Sequence, residues 1–278
     1  HDGPMSSDAD PTDFTLTGHA GALVGRSWPV PDPHWVAVIS HGYGEHVGRY
    51  QWVAERLNEA GAAVYAADHL GHGRSDGERV LIGDYEPVVE DLDLVVQHAA
   101  GQHPGLAIVL IGHSMGGMIA ARYTQRHADR LLATVLSGPV LGSWVTVDSL
   151  LALDEIPSTP IDPGTLSRDP AVGEAYAADP LVWHGDFARP TLEAMQEAMR
   201  TISADGSIGE HPLLYLHGED DRLVPLPASW MGLLELRGPR TFTKTYPGAQ
   251  HEIFHETHRD EVIADVIGFV QGVLSVRG

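Results

Sequence analysis

Short, uninterrupted apolar runs recur along the chain and alternate with longer amphipathic stretches. Residues 35–39, 62–66, 106–111, 132–136 and 213–216 carry such runs, and each is followed by Gly, His or Asp. Continuous rather than alternating apolar character is the pattern of strands buried on both faces of a parallel sheet. Residues 241–246 read as a last strand. Ahead of all of these, residues 14–17 and 22–25 flank a Gly/His/Ala turn and predict an antiparallel hairpin. Helical patterns fall between the strands, at 50–59, 86–100, 115–127, 226–236 and 258–274. The alternation predicts an α/β fold: a mostly parallel central sheet with helices on both faces, whose ligands bind at the carboxyl ends of the strands.

One segment breaks the rhythm. Residues 141–210 hold no convincing strand, several Pro and Asp breaks, and amphipathic pieces at 147–153 and 191–199. So long an insertion after the sixth strand, at the catalytic end of a sheet, predicts a helical cap or lid. The expected organisation is a tag or disordered tail at 1–10, a core at 11–140, the cap at 141–210, and the rest of the core at 211–278. Trp144, Val145, Leu150, Leu151 and Ile156 would either line an apolar entrance or pack the cap onto the core.

Charge and cysteine content remove several classes of function. The chain has 38 acidic and 17 basic residues, a net charge of -21. Such a surface repels phosphates, so nucleic acid and anionic membranes are poor partners. Without cysteine, disulfides, thiolate metal sites and cysteine nucleophiles are all excluded. The longest stretch free of both charged residues and histidine, residues 131–147, is broken by Gly138-Pro139 and is short of the ~20 residues of a membrane span, so no transmembrane segment is expected. No signal peptide is visible at the start, which favours the cytoplasm.

The chemistry enters at Gly112-His113-Ser114-Met115-Gly116, which closes one apolar run and opens a small-residue helix. In this GxSxG elbow the glycines permit a strained strand-to-helix turn that lifts the serine clear of the sheet, making Ser114 the candidate nucleophile. A serine needs a base, and the base needs an acid that holds its tautomer. In this arrangement the chain order is serine, acid, histidine. After the strand at 213–216 three carboxylates compete, Glu219, Asp220 and Asp221; GxxDxxVP puts Asp221 at the tip of the turn, with Asp220 second. Among seventeen histidines, His251 is delivered by the loop after the last strand. His255 and His258 would share one solvated helical face.

His251-Glu252-Ile253-Phe254-His255 also matches HExxH. The extended zinc motif fails, because His258 and Glu261 stand where Gly and His are required, and no metal or other cofactor is expected. For the oxyanion hole, Met115 supplies one backbone N–H, and Tyr43, in the turn His41-Gly42-Tyr43-Gly44, supplies the other. His41 is expected to brace that loop.

With these residues identified, the chain resembles the monoacylglycerol lipases of the serine α/β-hydrolase superfamily over residues 37–269. The motifs that carry the likeness are HGYGEHVGRY (41–50), DHLGHGRSDG (68–77), GHSMGG (112–117), SRDP (167–170), AYAADPL (175–181), GEDDRLVP (218–225) and YPGAQHE (246–252). GHSMGG is shared by many hydrolases; HGxGEHxGRY together with the cap segment is far more specific. The resemblance implies hydrolysis of a monoacylglycerol to glycerol and a fatty acid, under a cap able to rest on neutral lipid interfaces. It also implies that Glu45, Arg49, His113 and Tyr176 surround the glycerol end of the substrate. Phe254 departs from the pattern of members that carry a second histidine there. A broader carboxylesterase or lysophospholipase, and a non-catalytic binding module on the same scaffold, are the alternatives.

Overall fold

The computed structural model describes residues 10–277, so the expectation for residues 1–10 lies, Asp10 apart, outside the described residues. Eight strands form one sheet: β1 (Thr12–Gly18), β2 (Gly21–Trp28), β3 (Trp35–Ser40), β4 (Ala62–Ala67), β5 (Ala107–His113), β6 (Ala133–Ser137), β7 (Leu213–Gly218) and β8 (Thr241–Tyr246). Their order across the sheet is β1-β2-β4-β3-β5-β6-β7-β8. β1 pairs with β2, and β2 with β4, antiparallel; β4, β3, β5, β6, β7 and β8 run parallel.

The helices are α1 (Gln51–Glu59), α2 (Glu86–Gln102), α3 (Met115–His127), α4 (Val145–Leu151), α5 (Pro170–Ala178), α6 (Arg189–Asp205), α7 (Leu226–Leu236) and α8 (Arg259–Arg277). Because side chains alternate across a strand, the apolar runs divide between two cores. Val36, Val38, Ile108, Leu110, Leu213 and Tyr215 face the core roofed by α2, α3, α6 and α7. Ala37, Ile39, Val109, Ile111, Leu214 and Leu216 face the core covered by α1 and α8. Both faces being dry explains why the strands read as continuous apolar runs.

Residues 141–210 contain no strand, as the broken pattern predicts, but hold more helix than expected. α4 begins two residues earlier than its apolar piece, and α6 begins two residues before 191–199 and runs on to Asp205. α6 buries Leu192, Met195, Met199 and Ile202 at helical spacing against the core, and Gly206 stops it at φ 70°. α5 was not anticipated. Its segment PAVGEAYAA has a single buried residue, Tyr176, so no apolar stripe marks it; the Asp169 side chain caps it by accepting the Ala171 N–H. Of the five apolar candidates, Leu150 packs into the core, Leu151 and Ile156 pack against it, Val145 is exposed, and only Trp144 reaches the cavity described below.

The expected shared helical face of His255 and His258 is not formed. His255 lies in a single 3-10 turn, residues 253–255, and His258 precedes α8. Neither is simply solvated: His255 Nε2 donates to the Arg49 carbonyl at 2.9 Å, and His258 Nδ1 accepts from Arg168 at 2.7 Å. His251 and His255 thus share no α-helix, and the i,i+4 pair that HExxH requires is not built.

Candidate active site

Ser114 sits at the junction of β5 and α3 with φ 55° and ψ -119°, a strained conformation for a residue with a side chain. The neighbouring glycines are required by space. A Cβ on Gly116 would strike the Ser40 and His41 carbonyls, one on Gly112 would strike the Gly116 carbonyl, and one on Gly117 would lie 2.7 Å from Pro139 Cβ. The helix therefore approaches the carboxyl ends of β3 and β6 at backbone distance, and the serine projects into the space above the sheet.

The loops after β7 and β8 bring Asp221 and His251 to the same place. Gly218, between them, has room only for hydrogen, since a Cβ would meet the Ala249 and Gln250 carbonyls. His251 Nδ1 lies 2.7 Å from Asp221 Oδ2. Asp221 Oδ1 accepts the Leu223 and Val224 N–H groups at 2.9 and 2.8 Å, which holds the carboxylate in one orientation. That geometry places the imidazole proton on Nδ1 and leaves Nε2 a lone pair. Burial opposes charging His251, but the Asp221 carboxylate outweighs it and raises the histidine above its ordinary value. Burial opposes ionising Asp221 too, yet His251 and a second histidine, His217, hold its carboxyl far below the usual range. Glu219 and Asp220 are exposed, and neither contacts His251.

Ser114 and His251 line one cavity with Gly42, Tyr43, Glu45, His113, Trp144, Tyr176 and Glu252. The Tyr43 and Met115 N–H groups find no acceptor among the described residues, the condition for donating to an added oxyanion. His41 braces the loop that carries Tyr43: its Nδ1–H donates to the Gly42 carbonyl at 2.8 Å, and its Nε2 accepts the His69 N–H at 2.9 Å. From the other side, Glu45 Oε1 accepts the Gly42 N–H at 2.7 Å.

The polar residues form one buried cluster. Arg49 donates to Glu45 at 2.7 Å and, through two nitrogens, to Glu252 at 2.6 and 2.7 Å. Tyr50 adds a 2.6 Å bond to Glu45, and the Arg49 guanidinium lies 5.0 Å from the Tyr176 ring centre. Burial works against the Glu45 charge, but Arg49 and His113 overcome it and hold the carboxyl down at about 2. His113 donates from Nδ1 to the Ser137 carbonyl at 3.1 Å, which leaves Nε2 as an acceptor; burial and nearby His251 lower it to about 4, so it is neutral. Tyr176 Oη and Tyr43 Oη are buried without a partner among the described residues. Arg49 does not line the cavity; its nitrogens are turned toward carboxylates.

Sequence reasoning missed Glu252, which lies within YPGAQHE as an isolated acid between His251 and the buried Ile253-Phe254 pair. It also missed His217, a buried histidine at the end of β7, where strand-end polarity offered a signal. Phe254 is packed in the core under α8 rather than at the cavity. The inserted segment forms the roof: Trp183 N–H donates to the Gly44 carbonyl at 2.7 Å, and His46 Nε2 lies 2.7 Å from Asp179 Oδ2. The space beneath it is about 20 Å³, room for a water molecule.

A parallel-centred sheet of this order, with a serine at the β5–α3 elbow and an Asp–His pair beside it, defines a serine hydrolase of the α/β-hydrolase class. Residues 31–258 match the family described as serine aminopeptidase, S33. A monoacylglycerol lipase of Mycolicibacterium smegmatis is 38% identical over 251 residues, covering 87% of this chain and 90% of that one. Human monoglyceride lipase is 33% identical over 247 residues, covering 83% and 80%. The crystal structure of the Paleococcus ferrophilus monoacylglycerol lipase has a TM-score of 0.78 at 28% identity, covering 90% of this chain and 99% of that one. The chain belongs to the monoacylglycerol lipase family of serine α/β-hydrolases.

Proposed function

We propose that this carboxylic ester hydrolase cleaves monoacylglycerols to glycerol and a free fatty acid through an acyl-enzyme. The observation that carries this reading is the convergence of Ser114, the Asp221–His251 pair and a buried polar cluster on one cavity. In it, His251 Nε2 takes the proton of Ser114 Oγ as the serine attacks the ester carbonyl, and the Tyr43 and Met115 N–H groups receive the oxyanion. Protonated His251 then gives its proton to the leaving glycerol oxygen, and water, activated by the same nitrogen, hydrolyses the acyl-serine.

Glu45, His113 and Tyr176 supply an acceptor, a second acceptor and a free hydroxyl to the glycerol end, with Glu252 added to that wall. Arg49 acts behind them by holding both carboxylates. Two acids on one base leave this cluster with a negative balance, which suits an uncharged polyol and disfavours the phosphate of a lysophospholipid. Residues 141–210 serve as a cap. A cavity of about 20 Å³ is far below the ~300 Å³ or more of ligand pockets, so the cap moves to admit substrate. Exposed Val145 and Leu153 on the cap, set against a chain charge of -21, suit contact with neutral lipid interfaces. Among the described residues, no helix is long and apolar enough to cross a membrane.

Turnover of monoacylglycerols, lysophospholipids and simple esters, measured for the native protein and Ser114→Ala, tests the reading. Ser114→Ala is expected to lose on the order of 10⁶ in kcat and all labelling by a fluorophosphonate probe. Near-normal turnover by the variant, or a preference for lysophospholipids, refutes it.

A further inference from the structure

His217 has no part in the chemistry above, yet it is wholly buried with its Nε2 3.2 Å from Asp221 Oδ2, the same oxygen that bonds His251. Its hydrogen-bond partners fix its protons. The Ser229 hydroxyl lies 2.7 Å from the Pro139 carbonyl, which has no proton to give, so Ser229 donates there. The Tyr215 hydroxyl, 3.0 Å from Ser229 Oγ, must then supply the proton of that contact. Tyr215 Oη is also 2.7 Å from His217 Nδ1, and with its own proton committed it can only accept. On the other side of the ring, Nε2 faces the Val224 carbonyl at 2.8 Å and the Asp221 carboxylate, both acceptors. Every contact is filled only when both ring nitrogens donate.

We propose that His217 is an imidazolium locked by this chain, Pro139–Ser229–Tyr215–His217–Asp221, and that it is a positioning residue which sets the base strength of His251 through the carboxylate they share. A fully buried cation is tolerable only beside an anion, and Asp221 is that anion. The His217 charge offsets part of the Asp221 field before His251 takes up a proton, so His251 is a weaker base than an unshared aspartate would make it. The other charged or titratable groups around His251 are Glu252 on its own loop, His113 at the end of β5, and Glu45 with Arg49 beyond β3. None of these contacts His217.

The inference rests on reading Asp221 and His251 as acid and base, but its first test does not. Ring-nitrogen NMR of the native protein at pH 7 is expected to show protons on both nitrogens of His217; a bare nitrogen overturns the proposal whatever the reaction. The second test is the pH profile of kcat/KM. His217→Gln keeps a donor toward Asp221 and removes the charge, and is expected to move the acid limb upward by about one pH unit, the effect of one nearby charge. Tyr215→Phe deletes the acceptor of the Nδ1–H without touching Asp221 and is expected to move the limb the same way. If either folded variant loses rate with its acid limb unmoved, His217 is merely structural and the proposal fails.

Discussion

Arg49 is the residue whose loss the structure prices most clearly. Its guanidinium makes three short bonds to two carboxylates, Glu45 and Glu252, which are 3% and 4% exposed. Arg49→Met keeps an unbranched apolar stem but leaves two acids buried with no cation between them. Breaking a buried pair by removing one partner costs about 3–5 kcal/mol. With 278 residues and an unfolding entropy of roughly 2.1 cal/mol/K per residue, or about 0.6 kcal/mol/K, that corresponds to a fall in Tm of about 5–8 °C. The pH dependence gives an independent check. In the native protein the folded carboxyls lie below their unfolded value, Glu45 at about 2 and Glu252 also lowered. Their contribution is therefore complete above the unfolded value of about 4.3 and lost as pH falls toward 2. Without Arg49, burial raises both folded values above the unfolded one, the sign reverses, and the variant recovers stability as the acids protonate. Urea and thermal unfolding at pH 7 and pH 5 measure both effects. A loss under 1 kcal/mol at pH 7, or one equally large at pH 5, would refute the claim that Arg49 neutralises a buried acid pair.

Two further outcomes follow from the same geometry. Because Asp221 raises His251, the base is still protonated at the ordinary histidine value; the acid limb of kcat/KM is expected above pH ~6.5, and a limb at or below pH 6 contradicts it. Gly116→Ala drives a methyl group into the Ser40 and His41 carbonyls, whereas Gly83 has nothing within 4 Å of a Cβ. The first substitution is expected to cost about 2–3 kcal/mol and to impair fluorophosphonate labelling, and Gly83→Ala to be close to neutral; equal Tm values for the two would discount the close approach of α3 to β3.

Much of this protein was legible along the chain, for reasons that are local. A strand dry on both faces has to be apolar at every position, so β3, β4, β5 and β7 announced themselves, and a turn as tight as the one at Ser114 needs glycine on both sides. GHSMGG, GEDDRLVP and YPGAQHE set serine, acid and histidine in order at strand ends, and the parallel sheet, by stacking those ends, brings Asp221 to His251 and sets His251 on the cavity that Ser114 lines. What the chain could not disclose depends on partners distant in sequence. α5 has no apolar stripe because Tyr176 alone is buried. HExxH looks the same whether or not a helix forms beneath it. Arg49 faces carboxylates rather than the cavity because Glu252, some two hundred residues away, folds against it. His217 acquires its role only where Tyr215, Ser229 and Asp221 surround it. Sequence alone thus determined the buried strands, the elbow and the candidates for the reacting groups, since backbone space and burial dictate residue type. Tertiary structure decided where protons sit and which charges face one another, because those depend on distances of a few ångströms between residues that the sequence leaves far apart.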